Sequence, residues 1–158
     1  MQLEVAVQLK HSGWKSLLRP YCKTTHMICK AALLDTKLAK IPCAYEMSVV
    51  LADDNFIREL NRDYRGFDKP TNVLSFPSGD KPKKGKEHYI GDIILAYETL
   101  EREALKQKKN PKHHAIHLLV HGVLHLLGYD HENEKEAEQM EKLEIKILEK
   151  QGISNPYL

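Results

Sequence analysis

No apolar run in this 158-residue chain approaches the ~20 residues that a membrane-spanning helix requires. The opening Met1–Val5 segment has no basic residue and starts no long apolar stretch, so no signal peptide is expected. Cysteine is scarce: Cys22, Cys29 and Cys43 are odd in number and include no Cys-x-x-Cys pair. That pattern predicts buried free thiols in a reducing, cytoplasmic compartment, and argues against a disulfide framework or a thiolate metal cluster. Charge of one sign is missing too. With 24 Lys and Arg against 22 Asp and Glu, the net charge is only +2. The chain therefore lacks the strong basic field of many nucleic-acid-binding proteins, and an RNA ligand would have to be held by a local patch. Internal repeats and low-complexity tracts are absent.

What is present suits one globular domain, residues 1–158, with 42% hydrophobic and 29% charged residues. Leu3, Val5, Val7 and Leu9 alternate with other residues, the period of a half-buried strand. Residues from about Trp14 to Leu38 read as helix, interrupted or begun at Pro20, with Leu33, Leu34 and Leu38 as its apolar stripe. Cys22 and Cys29, seven apart, share a face there and are expected to pack in the core. Tyr45–Leu51 reads as a second strand, and Asp53 is placed to cap a short helix from Asp54 to about Arg62. Val73–Phe76, closed by Pro77, and Tyr89–Tyr97 read as two more strands. The segment 77–88 between them holds two prolines, two glycines and four lysines, the composition of a mobile surface loop. Helices follow over about Glu98–Lys109 and from Pro111 to Leu127, the latter stopped by Gly128. Asn133 and Glu136 resemble a capping box for a last helix that buries Ala137, Met140, Leu143 and Ile147. The expected fold is α+β: a small four-stranded mixed sheet packed with about five helices, with a metal site on a helix and the following turn.

The helix before Gly128 carries His117, His121 and His125, spaced four apart. Four residues advance about 400°, so these side chains stack on one face. Gly128 turns the chain, and His131 can fold back over the same point. His121, His125 and His131 thus form His-x-x-x-His-x-x-Gly-x-x-His, three imidazole ligands with a position left open for water. Zinc, one ion per chain, is the expected metal, and imidazole also suits other late transition metals. The bland alternative is a buried histidine stripe without metal, which leaves the glycine turn and the returning His131 unexplained. His117 either lines the cleft one turn earlier or simply packs. His113 and His114 are expected to be solvated, and Asp130 to orient a ligand from behind. The spacing also matches metzincin peptidases, which place a Glu after the first histidine as general base. Gly122 stands there and supplies no base. It also lets another element approach the helix closely.

The run His121-Gly122-Val123-Leu124-His125-Leu126-Leu127-Gly128-Tyr129-Asp130-His131 resembles the signature of the YbeY family of bacterial endoribonucleases. Asn61, Tyr64-Arg65, Asp68 and Pro70-Thr71-Asn72-Val73-Leu74-Ser75-Phe76-Pro77 are similar to a second block, Gly91-Asp92-Ile93 to a third, and Asn155-Pro156-Tyr157 to the family's ending. The resemblance spans about Tyr45 to Tyr157. It implies a metal-dependent, single-strand-specific endoribonuclease acting in small-subunit ribosomal RNA maturation and ribosome quality control, with ribosomal proteins or assembly factors as further partners and no membrane. It implies His121, His125 and His131 as metal ligands and Arg65 as the cleft arginine used in catalysis; Arg65 is also an expected substrate contact, as is His117 where it lines the cleft. Asn72 departs from the family's usual aspartate; its amide oxygen can still accept one hydrogen bond.

The chemistry agrees with this. Phosphodiester cleavage builds negative charge on phosphoryl oxygens, which a metal and a guanidinium stabilise. Arg58, Arg62 and Arg65 recur at helical spacing, with Arg65 at or just past the helix end; for Arg58 and Arg62 a solvated basic face is the simpler expectation. Lys81, Lys83, Lys84 and Lys86, and Lys106, Lys108, Lys109 and Lys112, either grip an RNA backbone or only solubilise the surface. Two other functions compete: a non-catalytic ribosome-assembly factor with a structural metal, and a metallopeptidase, which Gly122 disfavours.

Overall fold

The computed structural model describes residues 1–158. Four strands, β1 (Gln2–Leu9), β2 (Ala44–Ala52), β3 (Val73–Pro77) and β4 (Glu87–Ala96), form one sheet in the order β1-β2-β4-β3. β1 and β4 flank β2 in parallel, and β3 runs antiparallel along β4, so the sheet is mixed as expected. Six helices surround it: α1 (Gly13–Leu17), α2 (Tyr21–Leu34), α3 (Asp54–Arg65), α4 (Tyr97–Lys106), α5 (Pro111–Leu126) and α6 (Glu134–Lys150).

Strand alternation sorts the core into two layers. Val49 and Leu51 of β2 and Ile93 and Leu95 of β4 join the main core with α2 and α5. The intervening Ile94 and Ala96 join Ala52, Ile57 and Leu74 in a smaller cluster under α3. α5 is the central helix, packed against β3, β4, α2, α4 and α6. Gly122 permits its closest approach to the sheet: a Cβ there would lie 3.1 Å from Ile93 Cγ2 and 3.3 Å from Ser75 Oγ. Ser75 Oγ donates to the Gly122 carbonyl at 3.2 Å, so the glycine ties β3 to α5.

Several expectations are corrected. The helix read over 14–38 is interrupted before Pro20, as its sequence allowed, but α2 stops at Leu34; Leu38 lies in a 3₁₀ turn, Lys37–Lys40. Leu34 is half exposed, because the stripe ends where the helix does. Cys22 is exposed while Cys29 is buried; they share a helix face, but Cys22 sits in the first turn. The short helix α3 extends through Arg65, which its last turn holds before Gly66 ends it. Tyr97 begins α4 rather than ending β4, and α4 stops at Lys106. His114 is buried, with Nε2 3.0 Å from Glu103 Oε1, because the first turn of α5 packs against α4. The caps hold as read: Asp53 accepts from Phe56 N at 2.8 Å and Asn133 from Glu136 N at 2.9 Å.

Candidate metal centre

Asn110 caps α5 by accepting from Lys112 N at 2.9 Å, and Pro111 fills the first turn, where its missing N–H has no partner to lose. From this start the helix carries His121 and His125 onto one face. Their Nε2 atoms lie 2.9 Å apart, which two lone pairs do not favour without a proton or a cation between them. Gly128, at φ 93°, turns the chain in a conformation that a side chain would resist. His131 returns with its ring 5.8 Å from that of His121 and 5.2 Å from that of His125. One ligand atom from each of the three lies within 4.8 Å of the others. Tetrahedral zinc with Zn–N of ~2.0–2.1 Å needs nitrogens roughly 3.3 Å apart, so modest side-chain rotation suits the set. Burial, then the neighbouring His121 and His131, push the His125 pKa below its ordinary value, which keeps the imidazole neutral and its lone pair free.

A second partner set explains why His121 points this way. Glu144 of α6 is fully buried, and its Oε1 lies 2.6 Å from His121 Nδ1. The carboxylate accepts the Nδ1 proton, which leaves Nε2 with the lone pair a metal needs. Its other oxygen, Oε2, lies 2.8 Å from His117 Nε2 and accepts from the Tyr157 hydroxyl at 2.5 Å. Burial alone would raise this carboxyl; hydrogen bonds from His117, His121 and Tyr157 outweigh it and hold the pKa down to about 2. Tyr157 responds in the opposite sense, raised by burial and by the adjacent carboxylate. Glu144 meets His121 on the Nδ1 side and His125 meets it on the Nε2 side, so Glu144 is no fourth ligand to the same ion. The histidine set stays open.

Sequence reasoning missed Glu144, although a signal existed. It lies four after Met140 and three before Ile147, on the buried face of α6, where a lone carboxylate requires partners. His117 shares this support: Nε2 contacts Glu144, the ring sits edge-on to Tyr157 at 5.5 Å, and a cavity of about 280 Å³ beside it is lined by both His117 and His121.

A groove of about 520 Å³ runs past the histidines, lined by Arg65, Asn72, Ser75, His121, His125 and Asp130. Arg65 Nη2 donates to the Ser75 carbonyl at 3.0 Å. Arg58 and Arg62 do not enter; they pair in solvent with Asp68 at 2.8 Å and Asp63 at 3.0 Å. Lys81, Lys83, Lys84 and Lys86 are exposed in the loop before β4. Asp130 closes the turn, accepting from His131 N at 2.7 Å, with Oδ1 3.9 Å from His131 Nδ1. Asn72 Nδ2 donates to both Glu103 oxygens at 3.0 and 3.2 Å. An aspartate there would face Glu103 with like charge. A larger cavity, about 830 Å³, lies past the Gly128 turn between Asp35 and α6, and no histidine lines it.

A family model described as Endoribonuclease YbeY matches residues 15–152, a span that holds the whole histidine motif and Arg65. The chain belongs to the YbeY family. It is similar to Endoribonuclease YbeY of Azorhizobium caulinodans, 44% identical over 155 residues, covering 98% of this chain and 96% of the relative. Endoribonuclease YbeY of Rhizobium johnstonii is 44% identical over 160 residues, covering 99% and 94%. The solution structure of a Thermotoga maritima protein is similar in fold, with a TM-score of 0.56 at 24% identity over 94% of this chain and 91% of that one.

Proposed function

We propose that this chain is a single-strand-specific endoribonuclease that uses zinc held by His121, His125 and His131, and acts in small-subunit ribosomal RNA maturation and ribosome quality control. The observation that carries the reading is an open set of three imidazoles, two of which line one groove with an arginine, in a family whose curated relatives are named endoribonucleases. Bound there, zinc supplies Lewis acidity toward a phosphoryl oxygen or a water, and another late transition metal supplies the same. The chain's own groups do the rest. Glu144 keeps the proton on His121 Nδ1 and so fixes the ligand tautomer. Arg65 presents a planar guanidinium to phosphate oxygens, where two N–H groups stabilise charge that grows in the transition state. Gly122 leaves no carboxylate to activate water for peptide hydrolysis. RNA is the substrate, with ribosomal proteins or assembly factors as further partners, in the cytoplasm. No helix is long and apolar enough to cross a membrane. The activity resides in one domain, residues 1–158, which the continuous core under α2, α5 and α6 supports.

The test is incubation of the zinc-loaded protein with a defined single-stranded RNA and with its duplex, followed by analysis of the new ends. Metal-dependent cleavage of the single strand alone is expected. Absence of cleavage in a preparation carrying one zinc per chain favours a non-catalytic assembly factor. Casein turnover that disappears in His125→Ala favours the peptidase.

A further inference from the structure

The segment that brings Arg65 to the groove also sets two large aromatic rings in water. Tyr64 is 68% exposed and Phe67 58%. Tyr64 packs edge-on against Phe76, with ring centroids 5.4 Å apart. The Arg65 guanidinium lies 5.3 Å from the centroid of the same Phe76 ring, and Phe76 stands between the groove-lining Ser75 and Pro77 of β3. Beyond the Gly66 turn, the Lys69 ammonium lies 5.7 Å from the Phe67 ring. Charge is distributed selectively here. Arg58 and Arg62 are tied to aspartates, so the cations of this segment without a carboxylate partner are Arg65 and Lys69, the two that sit on aromatic rings.

Exposed rings interleaved with free cations match the chemistry of an unpaired nucleic-acid strand. Bases stack on rings without regard to sequence, and phosphates take the cations. A duplex offers no such fit, because its bases are already stacked and present only edges. A protein partner also uses exposed tyrosine and arginine, but the continuity of this patch with a phosphate-binding groove favours RNA.

We propose that Tyr64 and Phe67, with Phe76 bridging Tyr64 to Arg65, form a base-stacking subsite for unpaired nucleotides flanking the scissile phosphate. The assignment rests on the endoribonuclease reading of the groove. It gives the strand preference a physical origin: the rings engage a base only when that base has left a helix.

Binding by the zinc-loaded protein separates this from simple charge attraction. A fluorescent oligoadenylate and an abasic strand of equal length and charge are titrated in the cold, before cleavage begins. Wild type should prefer the base-bearing strand by roughly tenfold for each ring engaged. The double variant Tyr64→Leu with Phe67→Leu keeps apolar bulk at two exposed positions and should bind both strands within about twofold of each other. Lys69→Ala should weaken both strands equally and flatten the salt dependence while leaving the preference intact. Zinc content equal to wild type in every variant shows an undisturbed metal centre. A double variant that retains the wild-type preference overturns the subsite and assigns the rings to a protein partner. A wild type that binds both strands alike overturns it as well. If wild type neither binds nor cleaves RNA, the endoribonuclease reading fails first; if it cleaves single strands without the preference, only the subsite fails.

Discussion

Two helices of this molecule carry rows of like residues at helical spacing, and they end in different roles. On α5, His117, His121 and His125 stay together: the first two are held by the buried Glu144, and the last faces His121 across 2.9 Å. On α3, Arg58, Arg62 and Arg65 separate: two pair with aspartates in solvent and only Arg65 reaches the groove. Spacing sets a common face in both. What differs is depth. α5 is packed against β3, β4, α2, α4 and α6, so its buried imidazoles are drawn to carboxylates on the neighbouring helices. α3 covers one side of the sheet and leaves its arginines free to relax into water.

If depth separates the two rows, substitutions along them should differ in kind. The largest effect belongs to the histidines. His125→Ala or His121→Ala should abolish both bound metal and RNA cleavage, checked by elemental analysis beside a cleavage assay. Because imidazole must be neutral to bind metal, occupancy in the wild type should fall as pH drops below about 6.

Arg65→Ala comes next. Loss of one donor to developing charge typically lowers a rate by ~10²–10³. Single-turnover cleavage at saturating enzyme should show that loss, with a smaller change in RNA affinity and full metal content. Arg65→Lys should recover only part of it, since lysine lacks the two-pronged geometry. A wild-type rate in Arg65→Ala would make the residue a binding contact only.

Glu144→Gln should weaken zinc affinity by roughly 10–100-fold, the usual cost of losing a carboxylate behind a metal-bound histidine. Its pH signature is separate. The native carboxyl sits at about 2 against an ordinary 4.5. Its contribution to stability is therefore present above pH 4.5 and lost as pH falls toward about 2. Thermal unfolding of the metal-free protein across that window should show a slope that Glu144→Gln flattens. The smallest effect should come from Arg58→Ala and Arg62→Ala, exposed pairs whose loss should leave cleavage close to wild type. A large loss there would place the whole α3 row on the RNA.

The parts legible in the sequence were those governed by local rules. Proline at the first turn of α5, glycine at its exit, and asparagine or aspartate at the caps set the helix bounds, and histidine spacing set the ligand face. Alternation in β1, and apolar runs closed by turn residues in the other three, placed the four strands to within two residues at every bound. Contacts across elements were not legible. Glu144 reaches His121 from 23 positions away, and nothing local to α5 names it. His114 is buried only because α4 packs over the first turn of α5. Cys22 and Leu34 lie on faces that periodicity marks as inward, but at helix ends where nothing covers them. Asn72 shows the same limit: its donor role depends on Glu103, which only the fold brings near.

If three histidines on and after α5 hold one metal ion on which RNA cleavage depends, cleavage must follow metal occupancy. The most direct measurement titrates zinc into metal-free wild type and follows bound metal and single-strand cleavage in the same samples. Both should rise together and saturate at one ion per chain, and His125→Ala should show neither. Full cleavage by wild type at zero bound metal, or by His125→Ala, would contradict that dependence.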